Sequence, residues 1–140
     1  MNEGSREEGQ TISLPDGRRL GYLILGEGKP VFYFHGYPSS RLEALFLKGI
    51  AGSKRLKVIG VDRPGFGLST FAPNRRLRDF ATDISFLADH LGIDKFALVG
   101  FSGGGHYVIT CAALLAERVT RAIVISGLSS PPEMSRMVKV

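Results

Sequence analysis

Four short runs of apolar residues constrain the fold of this chain more than any other feature of its sequence. They lie within residues 31–34, 57–61, 95–100 and 121–126. Each run is too short for a buried helix and is typical of a strand that is buried on both faces. Residues 77–91 carry apolar side chains every three or four positions, which predicts an amphipathic helix that ends at Gly92. Strands and helices therefore alternate along the chain.

This alternation predicts the α/β class, as a three-layer fold with a mostly parallel sheet and helices on both faces. Further helices are predicted at residues 41–48 and 107–116. Residues 10–14 and 19–25 flank a Pro-Asp-Gly turn and predict a β-hairpin before the first apolar run. We interpret the chain as a polar tail at 1–10, one partial core domain at 11–130 and an exit segment at 131–140.

The composition excludes several kinds of partner. Lys and Arg outnumber Asp and Glu by 18 to 13, a formal net charge of +5, but the basic residues are mostly scattered. The densest run, Arg75, Arg76 and Arg78, has no interleaved aromatic residues, so we expect no nucleic-acid partner. No apolar run approaches the ~18 residues of a membrane helix, and the single cysteine, Cys111, excludes an internal disulfide. We expect a cytoplasmic protein with no membrane partner.

The sequence Gly100-Phe101-Ser102-Gly103-Gly104 carries the clearest chemical signal. It is a G-x-S-x-G pattern between a predicted strand and a predicted helix. This is the context of a nucleophile elbow, a sharp strand-to-helix turn that exposes the side chain of its central residue. So sharp a turn strains its central residue and leaves no room for side chains two positions away, where this sequence has glycine. We expect the Ser102 hydroxyl to project above the sheet, close to helix amides that favour negative charge.

Two alternatives concern the same turn. One is a glycine-rich turn without chemistry, and the other is a phosphate-binding loop. A Walker loop that starts at Gly100 needs Lys where His106 stands. A dinucleotide fingerprint that starts at Gly103 needs Gly where Val108 stands, so the residues exclude both phosphate loops. No spacing of His, Cys or carboxylate residues predicts a metal site.

Four motifs, in this order, resemble those of the α/β-hydrolase fold enzymes. They are Leu14-Pro15-Asp16-Gly17 with Leu20-Gly21-Tyr22, His35-Gly36-Tyr37-Pro38, Asp62-Arg63-Pro64-Gly65-Phe66-Gly67-Leu68-Ser69 and Gly100-Phe101-Ser102-Gly103-Gly104. They are similar to that family's opening hairpin, oxyanion loop, next strand end and nucleophile elbow. The resemblance covers residues 11–130 and about six of the eight strands of the family's core, which is its N-terminal half.

The resemblance implies a serine hydrolase that acts on an ester or similar acyl bond of a small molecule, through an acyl-enzyme and without a cofactor. Ser102 would be the nucleophile, and the backbone N–H groups of Tyr37 and Gly103 would form the oxyanion hole. The supporting motif residues are His35, Gly36, Gly100 and Gly104. Related epoxide hydrolases and haloalkane dehalogenases have Asp at the elbow. A serine there makes the chain more similar to the esterase, lipase and carbon–carbon hydrolase branches.

The residues around the oxyanion loop are expected to hold it in place or to contact substrate. We expect Asp62 and Arg63 to fix the loop at their strand end, with direct contact to substrate as the alternative. The side chain of Tyr37 is a candidate for the wall of an acyl pocket. His35 is expected to tie the loop rather than act as a base.

The base and acid of a catalytic triad are harder to find. A serine hydroxyl needs a base within about 3 Å, usually a His held by a carboxylate. We expect His90 to be solvated at a helix end. His106 is a poor substitute base, because residues along that helix point sideways from Ser102. Glu133 is the only conceivable acid after the elbow.

In the family that this chain resembles, the acid and the His follow later strands than those recognised here. The strand at residues 121–126 is then left as an apolar sheet edge, open to a protein partner. We therefore expect the chain to be a fragment of a longer enzyme. The alternatives are an inactive module that binds ligands or partners, and one half of a split enzyme.

Overall fold

A computed structural model describes residues 8–127 and shows a six-stranded mixed sheet in the order β1-β2-β4-β3-β5-β6. The strands are β1 Gln10–Ser13, β2 Arg19–Leu25, β3 Lys29–Phe34, β4 Leu56–Val61, β5 Phe96–Phe101 and β6 Val119–Ile125. β4, β3, β5 and β6 are parallel neighbours, and β1 and β2 add to them as antiparallel strands. The predicted mostly parallel sheet and N-terminal hairpin are confirmed.

The connections between the strands are helical. They comprise a 3₁₀ helix Arg41–Leu47 that continues into α1 Lys48–Lys54, then α2 Leu77–His90, and a 3₁₀ turn Ser102–Gly104 that continues into α3 Gly105–Leu114. α2 begins where the Asp79 carboxylate accepts the backbone N–H of Arg76 at 2.8 Å, which satisfies one unpaired N–H of the first turn. It ends before Gly92, whose φ of 67° confirms the predicted stop.

Helices cover both faces of the sheet, as predicted. Alternate residues of one strand point to opposite faces, so Phe32 and Phe34 join a large apolar cluster with α2 and α3. Tyr33, between them, joins a smaller cluster with the first 3₁₀ helix and α1. An edge-to-face contact between Phe34 and Phe80, with ring centroids 5.1 Å apart, joins β3 to α2. β3 and β5 therefore lie in the buried middle of the molecule, and their carboxyl ends carry the loops considered below.

The predicted helix at residues 41–48 is present, as a 3₁₀ helix Arg41–Leu47 that continues into α1. Its first residues are held by groups distant in sequence. The backbone N–H and the guanidinium of Arg41 both donate to Asp62, and Glu43 accepts from Tyr33 and Gly36. These contacts tighten the first turns, which is a tertiary effect that helical spacing does not reveal.

Some of the predictions concern residues outside those that the structure describes. Residues 1–7 of the predicted tail and the whole segment 131–140, which includes Glu133, lie outside the described residues. β6 forms one edge of the sheet, with Ile123, Val124 and Ile125 exposed. Over residues 8–127, every helix is too short or too polar to cross a membrane.

Candidate active site

Ser102 stands at the turn between β5 and the helical segment that leads into α3. Its φ is 49°, in the left-handed region that a residue with a Cβ rarely adopts. A strained backbone at a residue with a hydroxyl, at the carboxyl end of a central strand, is typical of a functional position in an open α/β fold. The geometry is that of the predicted elbow.

The glycines on either side of Ser102 allow this turn. A Cβ on Gly100 would lie 2.6 Å from a methyl group of Val108 and 2.7 Å from the carbonyl oxygen of Gly104. A Cβ on Gly104 would overlap the carbonyl of Phe34, at the end of β3. The elbow is thus packed directly against the backbone of its neighbouring strand, and no larger residue fits at either glycine.

The His35-Gly36-Tyr37-Pro38 loop follows β3 and lies beside the elbow. A Cβ on Gly36 would be 3.5 Å from the Cβ of Ser102, so the loop backbone passes in van der Waals range of the serine. The N–H of Gly36 donates to the Glu43 carboxylate at 3.0 Å. The side chain of Tyr37 is 76% exposed and contacts the edge of Phe66, with centroids 6.0 Å apart. The loop and the elbow therefore meet, as the oxyanion-hole prediction requires.

His35 is wholly buried and both of its ring nitrogens are engaged. Nε2 accepts the backbone N–H of Arg63 at 3.1 Å, so Nδ1 carries the proton and donates to the carbonyl oxygen of Gly36 at 2.8 Å. Burial lowers the pKa of His35, with the nearby Arg63 charge acting in the same direction. The ring is a neutral tie within the loop and has no nitrogen left to serve Ser102.

Asp62 and Arg63, at the end of β4, hold different parts of the structure. The carboxylate of Asp62 is buried and accepts from Arg41 and from the N–H of Leu68. Arg63 is 6% exposed, and its Nη2 donates to the carbonyl oxygen of Gly36 at 2.8 Å. Both residues fix loops at the strand end. The Arg63 guanidinium holds the oxyanion loop. The Asp62 carboxylate holds the start of the first 3₁₀ helix and the N–H of Leu68.

The remaining histidines lie away from the hydroxyl or lack the contact that a base needs. His90 is in the last turn of α2 and is exposed. His106 is in the first turn of α3, where its Nε2 is buried and has no hydrogen-bond partner among residues 8–127. Within the same residues, no histidine hydrogen-bonds to Ser102. The structure therefore brings together the predicted nucleophile and oxyanion loop but not a base.

Glu43 and Tyr107 also belong to this region, although neither was predicted from the sequence. Glu43 joins Tyr33 and Gly36, and although burial opposes ionisation, hydrogen bonds from Ser39, Tyr33 and Gly36 hold the pKa of its carboxyl below the usual value. The Tyr107 ring lies under the Arg63 guanidinium, with 5.2 Å between Cζ and the centroid. Both residues lie in segments predicted to be helical, and no motif in the sequence indicated a role for either of them at this site.

Comparisons with known proteins identify the family to which this fold belongs. A family model for the alpha/beta hydrolase fold matches residues 29–140. The chain is 32% identical over 129 residues to a non-heme haloperoxidase of Rhodococcus erythropolis. The matched region covers 88% of this chain and 45% of that protein. It spans less than half the length of the curated relatives that it matches.

Solved structures give the same result. The epoxide hydrolase CorEH superposes with a TM-score of 0.76 at 28% identity, over 93% of this chain and 48% of that chain. An esterase from Exiguobacterium antarcticum superposes with a TM-score of 0.74 at 28% identity, over 85% and 45%. The family match includes the oxyanion loop and the elbow, and this chain therefore belongs to the alpha/beta hydrolase fold family.

Proposed function

We propose that this chain carries the nucleophile and the oxyanion hole of a serine hydrolase that cleaves an ester or similar acyl bond of a small molecule. The observation that carries the proposal is the backbone of Ser102, held at a φ of 49° between two glycines that admit no side chain. Strain of this kind is retained where it aims a reactive group. The neighbouring Gly36 loop supplies a backbone surface for the substrate carbonyl.

In the proposed reaction the Ser102 Oγ attacks the acyl carbon and gives its proton to a general base. The carbonyl oxygen becomes an oxyanion, which accepts hydrogen bonds from the N–H groups of Tyr37 and Gly103. Collapse breaks the bond to the leaving group, which takes a proton, and leaves an ester on Ser102. A water molecule then gives a proton to the base and attacks the ester carbon. The acid product is released, and Ser102 takes the proton back as its hydroxyl. No cofactor is needed for any of these steps.

The residue at the elbow favours acyl transfer over epoxide opening. Two kinds of hydrolase are among the structural relatives, an epoxide hydrolase and an esterase. An ionised Asp attacks the carbon of an epoxide directly, whereas a serine hydroxyl needs a base and an acceptor carbonyl. Ser102 therefore supports esterase-like chemistry.

The general base is assigned to a residue outside the described part of the chain. Both nitrogens of His35 are engaged, and His90 is at the far end of α2. His106 is the one histidine close in sequence to the elbow, but it makes no hydrogen bond to Ser102 in the described structure. A base from another segment or chain would complete the site.

A fluorophosphonate probe tests the nucleophile directly. Attack by Oγ forms a serine–phosphorus bond and expels fluoride, and the intact mass reports the adduct. Because no base is assigned among residues 8–127, free imidazole is added in its place; we then expect the 140-residue chain to be labelled at Ser102 and the Ser102→Ala variant to remain unlabelled. Labelling of both proteins at the same rate, or of neither at high probe concentration, would contradict the proposed function and favour a binding module.

Free imidazole tests where the base comes from. If the base lies outside the described residues, added imidazole acts in its place and accelerates labelling of the wild-type chain, by roughly tenfold or more. His106→Asn should show the same labelling rate and the same acceleration. Fast labelling without imidazole that is lost in His106→Asn would instead assign the base to His106.

A further inference from the structure

The polar groups of the oxyanion loop can be accounted for one by one. The N–H of Gly36 donates to Glu43. The carbonyl oxygen of Gly36 accepts two hydrogen bonds, from Nδ1 of His35 and from Nη2 of Arg63, both at 2.8 Å, which uses both lone pairs. The N–H of Tyr37, at the other end of the same peptide unit, has no acceptor among residues 8–127. One donor of the loop is thus left over.

Arg63 controls this peptide in two ways. Its guanidinium donates directly to the Gly36 carbonyl, and its backbone N–H fixes the His35 ring that donates to the same oxygen. Its Cζ lies 4.8 Å from the centroid of the Phe66 ring and 5.2 Å from that of Tyr107, so two aromatic faces hold the planar group in place. Arg63 is 6% exposed, so its side chain is almost wholly enclosed by the protein.

A buried cation that donates to a peptide carbonyl also affects the N–H group of the same peptide unit. The peptide is planar, so fixing the C=O of Gly36 fixes the direction of the Tyr37 N–H opposite to it. A charged donor on the oxygen also draws electron density from the amide, and hydrogen bonds in such a chain strengthen one another. The local dielectric is low, which makes the effect larger than in water.

We propose that Arg63 is a positioning residue that orients and polarises the Gly36–Tyr37 peptide as an oxyanion donor. The proposal rests on the proposed function of Ser102. Arg63 also lies beside the second donor, because its Nη1 is 3.6 Å from the place of a Cβ on Gly103. A single buried guanidinium therefore bonds to the carbonyl of the Gly36–Tyr37 peptide and also lies near Gly103.

The test measures the Tyr37 amide and the reactivity of Ser102 in the same variants. Arg63→Met removes the charge and the donors, Arg63→Gln keeps an N–H donor without charge, and Arg63→Lys keeps the charge. Arg75→Met is the matched control, because Arg75 also lies over the Tyr107 ring, at 5.6 Å, but makes no hydrogen bond to the loop among the described residues. The readouts are the ¹⁵N–¹H resonance of Tyr37 and the rate of fluorophosphonate labelling, with imidazole present.

We expect the maximal labelling rate to fall roughly tenfold in Arg63→Met and Arg63→Gln, with half-saturation unchanged, since a whole oxyanion donor is worth about 10²–10³. Arg63→Lys should recover most of the rate. The Tyr37 amide resonance should move in parallel, and Arg75→Met should alter neither readout. A folded Arg63→Gln or Arg63→Met protein with wild-type rate and an unmoved Tyr37 resonance would overturn the proposal.

The role of Arg63 can still be tested if Arg63→Met does not fold or if wild-type Ser102 is not labelled. If Arg63→Met does not fold, Arg63→Gln and Arg63→Lys still separate charge from packing, and equal rates in these two variants would contradict polarisation by charge. If wild-type Ser102 is not labelled, the proposed function fails. The Tyr37 resonance then still tests Arg63, and an unmoved resonance in Arg63→Gln would refute its positioning role independently.

Discussion

Single residues at the elbow and the oxyanion loop have little freedom to change. Gly104 lies against the carbonyl of Phe34, Ser102 has a positive φ, and His35 is buried with both ring nitrogens engaged. Each of these features costs free energy unless its surroundings hold it in place. The stability of the protein should therefore respond to substitutions here more than at other residues of the same type.

Replacement of Gly104 by Ala illustrates this sensitivity. The added methyl group would overlap the Phe34 carbonyl, so we expect the free energy of unfolding to fall by at least ~2 kcal/mol. Gly52→Ala in α1 is the matched control, because a Cβ there meets nothing within 4 Å and should stabilise the helix by up to about 1 kcal/mol. Urea unfolding of the two variants measures both. Equal stabilities would mean that the close approach of elbow and β3 is wrong.

The buried His35 makes stability depend on pH. Because burial lowers its pKa, the unfolded chain binds a proton near pH 6.5 that the folded chain refuses. The contribution of His35 is fully present above pH ~6.5 and is lost as the pH falls towards its folded pKa, by at most about 1.4 kcal/mol per pH unit.

Denaturant unfolding at pH 7.5 and pH 5.5 checks this sign. We expect wild type and the control His90→Asn, which replaces an exposed residue, to be less stable at the lower pH. His35→Asn should show a clearly smaller difference between the two pH values. An unchanged pH dependence in His35→Asn would show that another group is responsible.

At the scale of elements, the strands and helices could be predicted, but the 3₁₀ form of the first helical segment could not. Apolar periodicity depends on burial alone, and it located β3, β4, β5 and α2 to within two residues at each end. The form of Arg41–Leu47 depends on Asp62, 21 residues away, and on the loop that Glu43 contacts. Such long-range hydrogen bonds leave no pattern in the local sequence.

β6 is the element that we expect to promote association between chains. Among residues 8–127 it pairs only with β5, so it forms an edge of the sheet in the described structure, and Ile123, Val124 and Ile125 are exposed there. An apolar edge of this kind promotes association between chains. A charge on it should oppose association without loss of core packing.

We expect Ile123→Lys to reduce the concentration-dependent association of the 140-residue chain several-fold, as measured by light scattering, with little change in unfolding free energy. Ile109→Lys is the control. Ile109 is 61% exposed but lies on α3, whose backbone is internally hydrogen-bonded, so this variant should associate like wild type. If both variants reduce association equally, general hydrophobicity rather than the strand edge is responsible.

At the scale of the whole molecule, the fold places two predicted motifs in contact across the carboxyl edge of the sheet. The oxyanion loop follows β3 and the elbow follows β5, and these strands are parallel neighbours, so both loops emerge at the same end. Sequence motifs were enough to predict that meeting. They were not enough to show that Arg63 bonds to the loop carbonyl, or that Glu43 takes up the Gly36 N–H, because both contacts join residues brought together only by the folded chain.

In the proposed function, Ser102 and two backbone amides form one reactive site. Its most direct test is a crystal structure of the chain after reaction with a small fluorophosphonate. We predict phosphorus bonded to Oγ of Ser102, with one phosphoryl oxygen about 2.7–3.1 Å from the backbone nitrogens of Tyr37 and Gly103. A phosphonate carried on a different residue, or one on Ser102 whose oxygen contacts neither amide, would contradict the proposed site.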